Sequence, residues 1–281
     1  MVTVSVPLLV MRVLEVVLTC ISFSLVASVG SSTSSYWTWC MFTWVLCFVV
    51  SLLFIILELT GLHQRLPLSW EDLTAGFSML ATLMLLAASV IYPSILYRCP
   101  GCAHQVAATV MSCLAFLVYA AEVSLTRARP GERSSSFLST VPGLLKVLEA
   151  FVACIIFICL DSGRVKMFGG LQWCVAVYAL CFIYSVIIII LTIFRLLATC
   201  PCPLNQVLVG CNALAAVMYA TAVVVWPIYA FQKNPRPSHC NSGYCVWNGL
   251  VVVSFMTGVN LIAYIVDTIY SIRLVFWVTT S

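Results

Sequence analysis

The chain has 281 residues, 63% of them hydrophobic and 8% charged, with a formal net charge of +4. Soluble domains carry about 25% charged residues, so this composition excludes a water-soluble globule and makes lipid the expected solvent. The charge is scattered, with no Lys/Arg run, which removes nucleic acid from the expected partners. Most of the 15 cysteines sit in apolar runs, where a thiol acts as a small hydrophobe.

A bilayer-spanning helix needs about 20 mostly apolar residues. Eight stretches qualify in chain order: Leu8–Val29, Trp39–Leu59, Leu73–Leu96, Ala103–Leu125, Pro142–Leu160, Leu171–Phe194, Leu204–Tyr229 and Val246–Tyr270. The first ends in small residues, as a signal peptide does. It lacks a basic leading region, however, and Glu15 falls where the apolar core should begin, so it reads as an uncleaved membrane helix. Lipid offers no partners to an exposed backbone, so such spans must be helices unless they close into a barrel. No strand-period alternation favours a barrel.

The chain begins again at its midpoint. Arg12-Val13-Leu14-Glu15 aligns with Lys146-Val147-Leu148-Glu149, and Cys20, Ile21 and Phe23 with Cys154, Ile155 and Phe157, all at an offset of 134. Trp39-Cys40 aligns with Trp173-Cys174, and Leu46-Cys47-Phe48 with Leu180-Cys181-Phe182. In the third spans Leu80, Ala81, Met84, Ala88 and Pro93 align with Leu214, Ala215, Met218, Ala222 and Pro227. In the fourth the offset is 145, and Ser112, Ala115, Tyr119 and Glu122 align with Thr257, Asn260, Tyr264 and Asp267. The eleven added residues belong to the loop around Ala230–Cys245. The expected fold is therefore an all-α integral membrane protein of eight transmembrane helices, in two four-helix repeats at residues 5–137 and 138–277, with a polar linker at Thr126–Val141. An even number of spans makes the repeats parallel, whereas inverted transporter repeats need an odd number.

Lys/Arg bias sets the expected orientation. One side holds Arg12, Arg65, Arg127, Arg129, Arg133, Lys146, Arg195 and Arg273; the other holds Arg98, Arg164, Lys166, Lys233 and Arg236. Both termini are accordingly expected in the cytoplasm. Glu15, Glu58, Glu122, Glu149 and Asp267 then fall within about two turns of the cytoplasmic face, with Arg12–Glu15 and Lys146–Glu149 as i,i+3 pairs. The steps of 3, 4 and 3 in Ser112-Ala115-Tyr119-Glu122 and Thr257-Asn260-Tyr264-Asp267 put each set on one helical face, which in lipid should turn toward other helices. These charges suit a proton or ion site on one reading. On the favoured reading they form a structural clasp at the cytoplasmic end of each bundle, with Arg12 or Lys146 meeting acids from neighbouring helices. No charge is expected at the bilayer midplane.

Cys99-Pro-Gly-Cys102 and the pair Cys240 and Cys245 fall in outer loops, where thiols oxidise. Each is a candidate disulfide, and zinc shared by all four is the alternative. Cys200 and Cys202, just past the sixth span, are either palmitoylation sites or free thiols in a Pro-flanked turn. The three histidines, His63, His104 and His239, lie in loops or at a span edge, which leaves no paired ligands for haem or a catalytic metal. No cofactor is expected. Pro142 suits the first turn of its helix. Pro93 and Pro227 should end or kink theirs. Trp37, Trp39, Trp70, Trp173 and Trp247 sit where interfacial anchors belong.

The wording of Phe23–Gly30, Arg65–Trp70, Thr126–Glu132, Thr140–Phe157 and Trp173–Ile183 resembles the myeloid-associated differentiation marker family, whose two four-span units are tandem MARVEL domains. The resemblance implies a non-enzymatic multi-pass protein of the plasma membrane and trafficking vesicles. It also implies cholesterol-rich membrane domains, junctional or cortical contacts and cell spreading. The expected partners are membrane lipids, other membrane or cortical proteins, and a second copy of the chain. A small-solute or ion transporter or channel is the alternative, and it requires broken helices and a polar site at mid-bilayer.

Overall fold

The computed structural model describes residues 6–30, 35–96, 103–128, 137–138, 140–160, 168–196, 204–232 and 246–280. It divides into two units, Met1–Ser139 and Thr140–Ser281. The first contains α1 (Val6–Val29), α2 (Ser35–Leu59), a 3-10 turn (Leu62–Arg65), α3 (Trp70–Ile91), a π turn (Tyr92–Leu96) and α4 (Ala103–Ala128). The second contains α5 (Val141–Cys159), α6 (Gly169–Ile193), α7 (Leu204–Phe231) and α8 (Val246–Thr280). No strand occurs among the described residues. All eight helices are long and apolar enough to cross a membrane.

In each unit the four helices form a closed ring. Each packs on its chain neighbour, and the first packs on the last: α1 on α4, and α5 on α8. The inside is more polar than the outside. Along α1 the buried face is Arg12, Glu15, Thr19, Ser22 and Val26, while Val10, Val13, Leu14, Val17 and Ile21 are exposed. This inverts the pattern of a water-soluble helix, because lipid solvates apolar side chains and leaves polar ones only the bundle interior.

Helix ends depart from the apolar runs where the flanking residues are polar or aromatic. α2 begins at Ser35 and α3 at Trp70, because Tyr, Trp, Thr, Glu and Asp continue the helix beyond the apolar core. Thr140 caps α5 by accepting a hydrogen bond from the Gly143 N–H at 3.4 Å, with Pro142 in the first turn. Pro93 ends α3 in the π turn, as expected. Pro227 lies inside α7, which continues to Phe231.

The expected polar linker is shorter and partly tethered. α4 runs to Ala128, and Leu138 is fully buried in the first unit. Its N–H donates to Asp72 Oδ1 at 2.7 Å, and its side chain lies against Gly76, where an added Cβ would sit 3.0 Å from Leu138 Cδ1. Asp72 is oriented by Ser69 Oγ, which donates to its Oδ2.

Candidate functional site

The helices of each ring present polar side chains to a common interior, and these meet in two clusters of the same plan. In the first unit Arg12 Nη1 donates to Glu58 Oε1 from α2, and Arg12 Nε donates to Glu122 Oε1 from α4 at 3.2 Å. Trp70 Nε1, from α3, also donates to Glu58 Oε1, at 3.0 Å. The Arg12 guanidinium lies 5.6 Å from the centre of the Phe54 ring. All four helices therefore converge on one cation and its acids.

Glu15 takes a different partner from the one its i,i+3 spacing suggests. Its Oε2 accepts from Ser51 Oγ of α2 at 3.2 Å, and Ser51 Oγ is 2.6 Å from the hydroxyl of Tyr119 on α4. Tyr119 also donates to the Cys47 carbonyl at 3.3 Å. The rigid guanidinium fork of Arg12 spans two acids on two other helices, so Glu15 is left to the hydroxyls.

In the second unit the cation is Lys146, fully buried, and its three N–H donors are all used. They go to Glu149 Oε2 on its own helix at 2.8 Å, to Asp267 Oδ2 of α8 at 2.7 Å and to Asn212 Oδ1 of α7 at 2.7 Å. The aromatic faces of Tyr184 and Tyr264 lie 4.7 and 5.0 Å from the ammonium. Asn212 Nδ2 donates to Asp267 Oδ2 at 2.9 Å. The hydroxyl relay recurs: Ser185 Oγ donates to Glu149 Oε2 at 2.9 Å, contacts the Tyr264 hydroxyl at 2.9 Å, and Tyr264 donates to the Cys181 carbonyl at 3.2 Å.

The two clusters thus share one plan, with Lys146 for Arg12, Asp267 for Glu122 and a change in which helices contribute. Glu15–Ser51–Tyr119–Cys47 becomes Glu149–Ser185–Tyr264–Cys181. Glu58 aligns with Thr192, so the second unit loses the acid from its second helix. It gains a polar partner from its third, where Asn212 stands in place of Ser78. Further along each bundle Trp44 Nε1 donates to Ser112 Oγ at 3.0 Å, and the aligned pair Tyr178 and Thr257 meet at 2.8 Å.

The acids sit at different positions along their helices: Glu58 is the last residue but one of α2, and Glu122 is six residues from the end of α4. Glu15 is the tenth of 24 residues of α1, and Glu149 is the ninth of 19 in α5, its middle. The depth is tolerated because Ser51 and Ser185 carry hydrogen-bonding capacity inward from the neighbouring helix. These serines, with Asn212 and Trp70, are the members that reading for charge alone passes over. The repeat holds the signal for the serines: Cys47 and Ser51 recur as Cys181 and Ser185, four residues apart, at the same offset of 134.

The six loop cysteines, Cys99, Cys102, Cys200, Cys202, Cys240 and Cys245, lie outside the described residues. Among the described residues no group of three or more His, Cys, Asp or Glu side chains is arranged to hold a metal ion.

The MARVEL family profile, described as a membrane-associating domain, matches residues 4–125 and again residues 137–270. A myeloid-associated differentiation marker homolog of Xenopus laevis is 43% identical, over 98% of this chain and 94% of that protein. The human myeloid-associated differentiation marker is 44% identical, over 96% of this chain and 88% of its own length. A rat myeloid-associated differentiation marker-like protein 2 is 44% identical, over 94% and 91% respectively. No solved structure matches the chain.

Proposed function

The chain belongs to the myeloid-associated differentiation marker family of tandem MARVEL-domain, multi-pass membrane proteins, and from that premise we propose that it is a non-enzymatic organiser of membrane domains. On this reading it packs laterally in the bilayer and gathers lipids, cholesterol-rich patches among them, together with other membrane or cortical proteins. It would act at the plasma membrane and in trafficking vesicles, in junctional or cortical contacts and in cell spreading. Both termini face the cytoplasm, in keeping with the Lys/Arg bias.

The observation that carries the reading is the direction of polarity. The intramembrane charges face inward and their ion pairs close within one unit, while large apolar side chains are exposed on the outward faces. Such a surface suits lateral association with lipid and with other helices. The Arg12 and Lys146 clusters then serve as clasps that hold each ring closed. A transporter would need a polar route through the bundle. Here Trp44 and Tyr119 in one unit, and Tyr178, Tyr219, Tyr264 and Trp226 in the other, are buried side chains that fill the bundle interior.

Proximity labelling in intact cells, combined with detergent-resistant membrane fractionation, tests the proposal. Labelling should concentrate on a restricted set of membrane and cortical proteins, and the protein should enrich in the resistant fraction. Labelling no different from that of an unrelated eight-span protein, with a bulk-membrane distribution, would sink it. Ion or solute flux through purified protein in liposomes, abolished by a Glu149→Leu substitution, would favour the transporter instead.

A further inference from the structure

Each cluster holds more acids than bases. The first has Arg12 against Glu15, Glu58 and Glu122; the second has Lys146 against Glu149 and Asp267. A net negative charge buried in a membrane-spanning bundle is costly, since even one charge at a helix centre costs about 2.5–3.5 kcal/mol on insertion scales. The clusters are short of donors as well as of positive charge. Glu15 Oε1 and Glu149 Oε1, aligned atoms of the two repeats, are both buried and both lack a hydrogen-bond partner. Glu15 and Glu149 themselves are at most 1% exposed.

What surrounds each orphan oxygen decides what it binds. Around Glu15 stand Arg12 on α1, Cys47 and Ser51 on α2, and Tyr119 and Glu122 on α4, with Glu58 held on the other side by Arg12. Around Glu149 stand Lys146 on α5, Cys181, Tyr184 and Ser185 on α6, Asn212 and Tyr219 on α7, and Asn260, Tyr264 and Asp267 on α8. Asn260 donates from Nδ2 to the Glu149 carbonyl and to the Tyr219 hydroxyl, yet its Oδ1 is also buried and unpartnered. The second site therefore has two orphan acceptors, Glu149 Oε1 and Asn260 Oδ1.

We propose that Glu15 and Glu149 are proton-binding sites, one per repeat, each holding H+ on Oε1 in the folded protein at neutral pH. One O–H bond forms on the carboxylate as one O–H bond breaks in the hydronium ion that gives up the proton and is left as water. A proton lowers the negative charge by one and supplies the missing donor to the orphan oxygen of Glu15 or Glu149; in the first cluster Glu58 Oε2 is an orphan as well. A divalent ion would need several converging oxygens, which these sites do not offer. In the second unit one proton brings Lys146, Glu149 and Asp267 to neutrality. The inference stands apart from the membrane-organising reading, since either a scaffold or a transporter can hold a proton.

Infrared spectroscopy on the full chain in detergent micelles is the direct test, with Glu15→Gln, Glu149→Gln and the double variant as comparisons. Gln keeps the shape of a protonated Glu. The wild type should show the carbonyl stretch of a protonated carboxyl at neutral pH. Each single variant should lose part of that band, and the double variant the part due to both sites. An ordinary Glu gives up its proton near pH 4.3 once unfolded. Unfolding at neutral pH therefore releases protons, and wild-type stability should fall as pH rises, with a flatter slope in the double variant. No carboxylic-acid band in the wild type, or a band of full size in the double variant, overturns the proposal even if one variant folds poorly. A melting temperature that follows Na+ at fixed pH, with no carboxylic-acid band, assigns the sites to an alkali cation and equally overturns it.

Discussion

At the scale of single residues, the choice between Arg and Lys sets the form of each cluster. The guanidinium of Arg12 has a planar fork and reaches acids on α2 and α4 together. The ammonium of Lys146 has three donors on a point charge and collects Glu149, Asp267 and Asn212 around itself. The same spacing, Arg12–Glu15 and Lys146–Glu149, thus yields an intrahelical pair only in the second unit. Removing one partner of a buried ion pair strands the other. Lys146→Leu leaves Glu149 and Asp267 buried without their cation, and should cost about 3–5 kcal/mol, read as a lowered midpoint of thermal denaturation in detergent. Lys146→Leu with the stability of wild type would show that the cluster contributes nothing to holding the ring closed.

At the scale of the helix, packing is set by what meets at each seam. In the first unit Trp44 of α2 meets Tyr92, just past α3, edge to face, with centroids 5.3 Å apart. In the second the aligned positions hold Tyr178 and Trp226, at 6.1 Å. The indole and the phenol have changed places, which conserves the volume at that layer of the core, the kind of exchange packed interiors tolerate best. Small residues allow close approach elsewhere. A Cβ on Gly170 of α6 would fall 2.5 Å from the Tyr229 ring of α7, whereas one on Gly210 of α7 meets nothing within 4 Å. Gly170→Ala should therefore destabilise by about 1–3 kcal/mol, the usual cost of overpacking, while Gly210→Ala should be neutral or mildly stabilising because Ala is the better helix former. Equal melting temperatures for the two variants would mean that the α6–α7 seam is looser than the structure has it.

At the scale of the whole molecule, each unit has its own ring, its own polar cluster and its own aromatic core. The ion pairs described here all close within one unit. The halves should therefore insert separately: residues 1–139 and 140–281 expressed as two chains should each span the membrane four times. Epitope tags at the ends of the full chain should react with antibody only after the cell is permeabilised. Reactivity on intact cells would reverse the orientation drawn from the Lys/Arg count.

Composition, hydrophobic run length and the offset of 134 were enough to determine eight spans, two repeats and the membrane as solvent. These depend on local sequence, since lipid leaves an exposed backbone no option but to bond within its own helix. The stripes Ser112-Ala115-Tyr119-Glu122 and Thr257-Asn260-Tyr264-Asp267 were legible for the same reason, because helical periodicity fixes which side chains share a face. The partners across the bundle were not. That Arg12 reaches Glu58 and Glu122 rather than Glu15, that Ser51 and Ser185 carry the buried glutamates, and that Asn212 joins Lys146 from α7 all depend on how four helices rotate and slide into one ring. So does the anchoring of Leu138 on Asp72. Spacing along one helix says nothing about register against another, and only the packed ring supplies it.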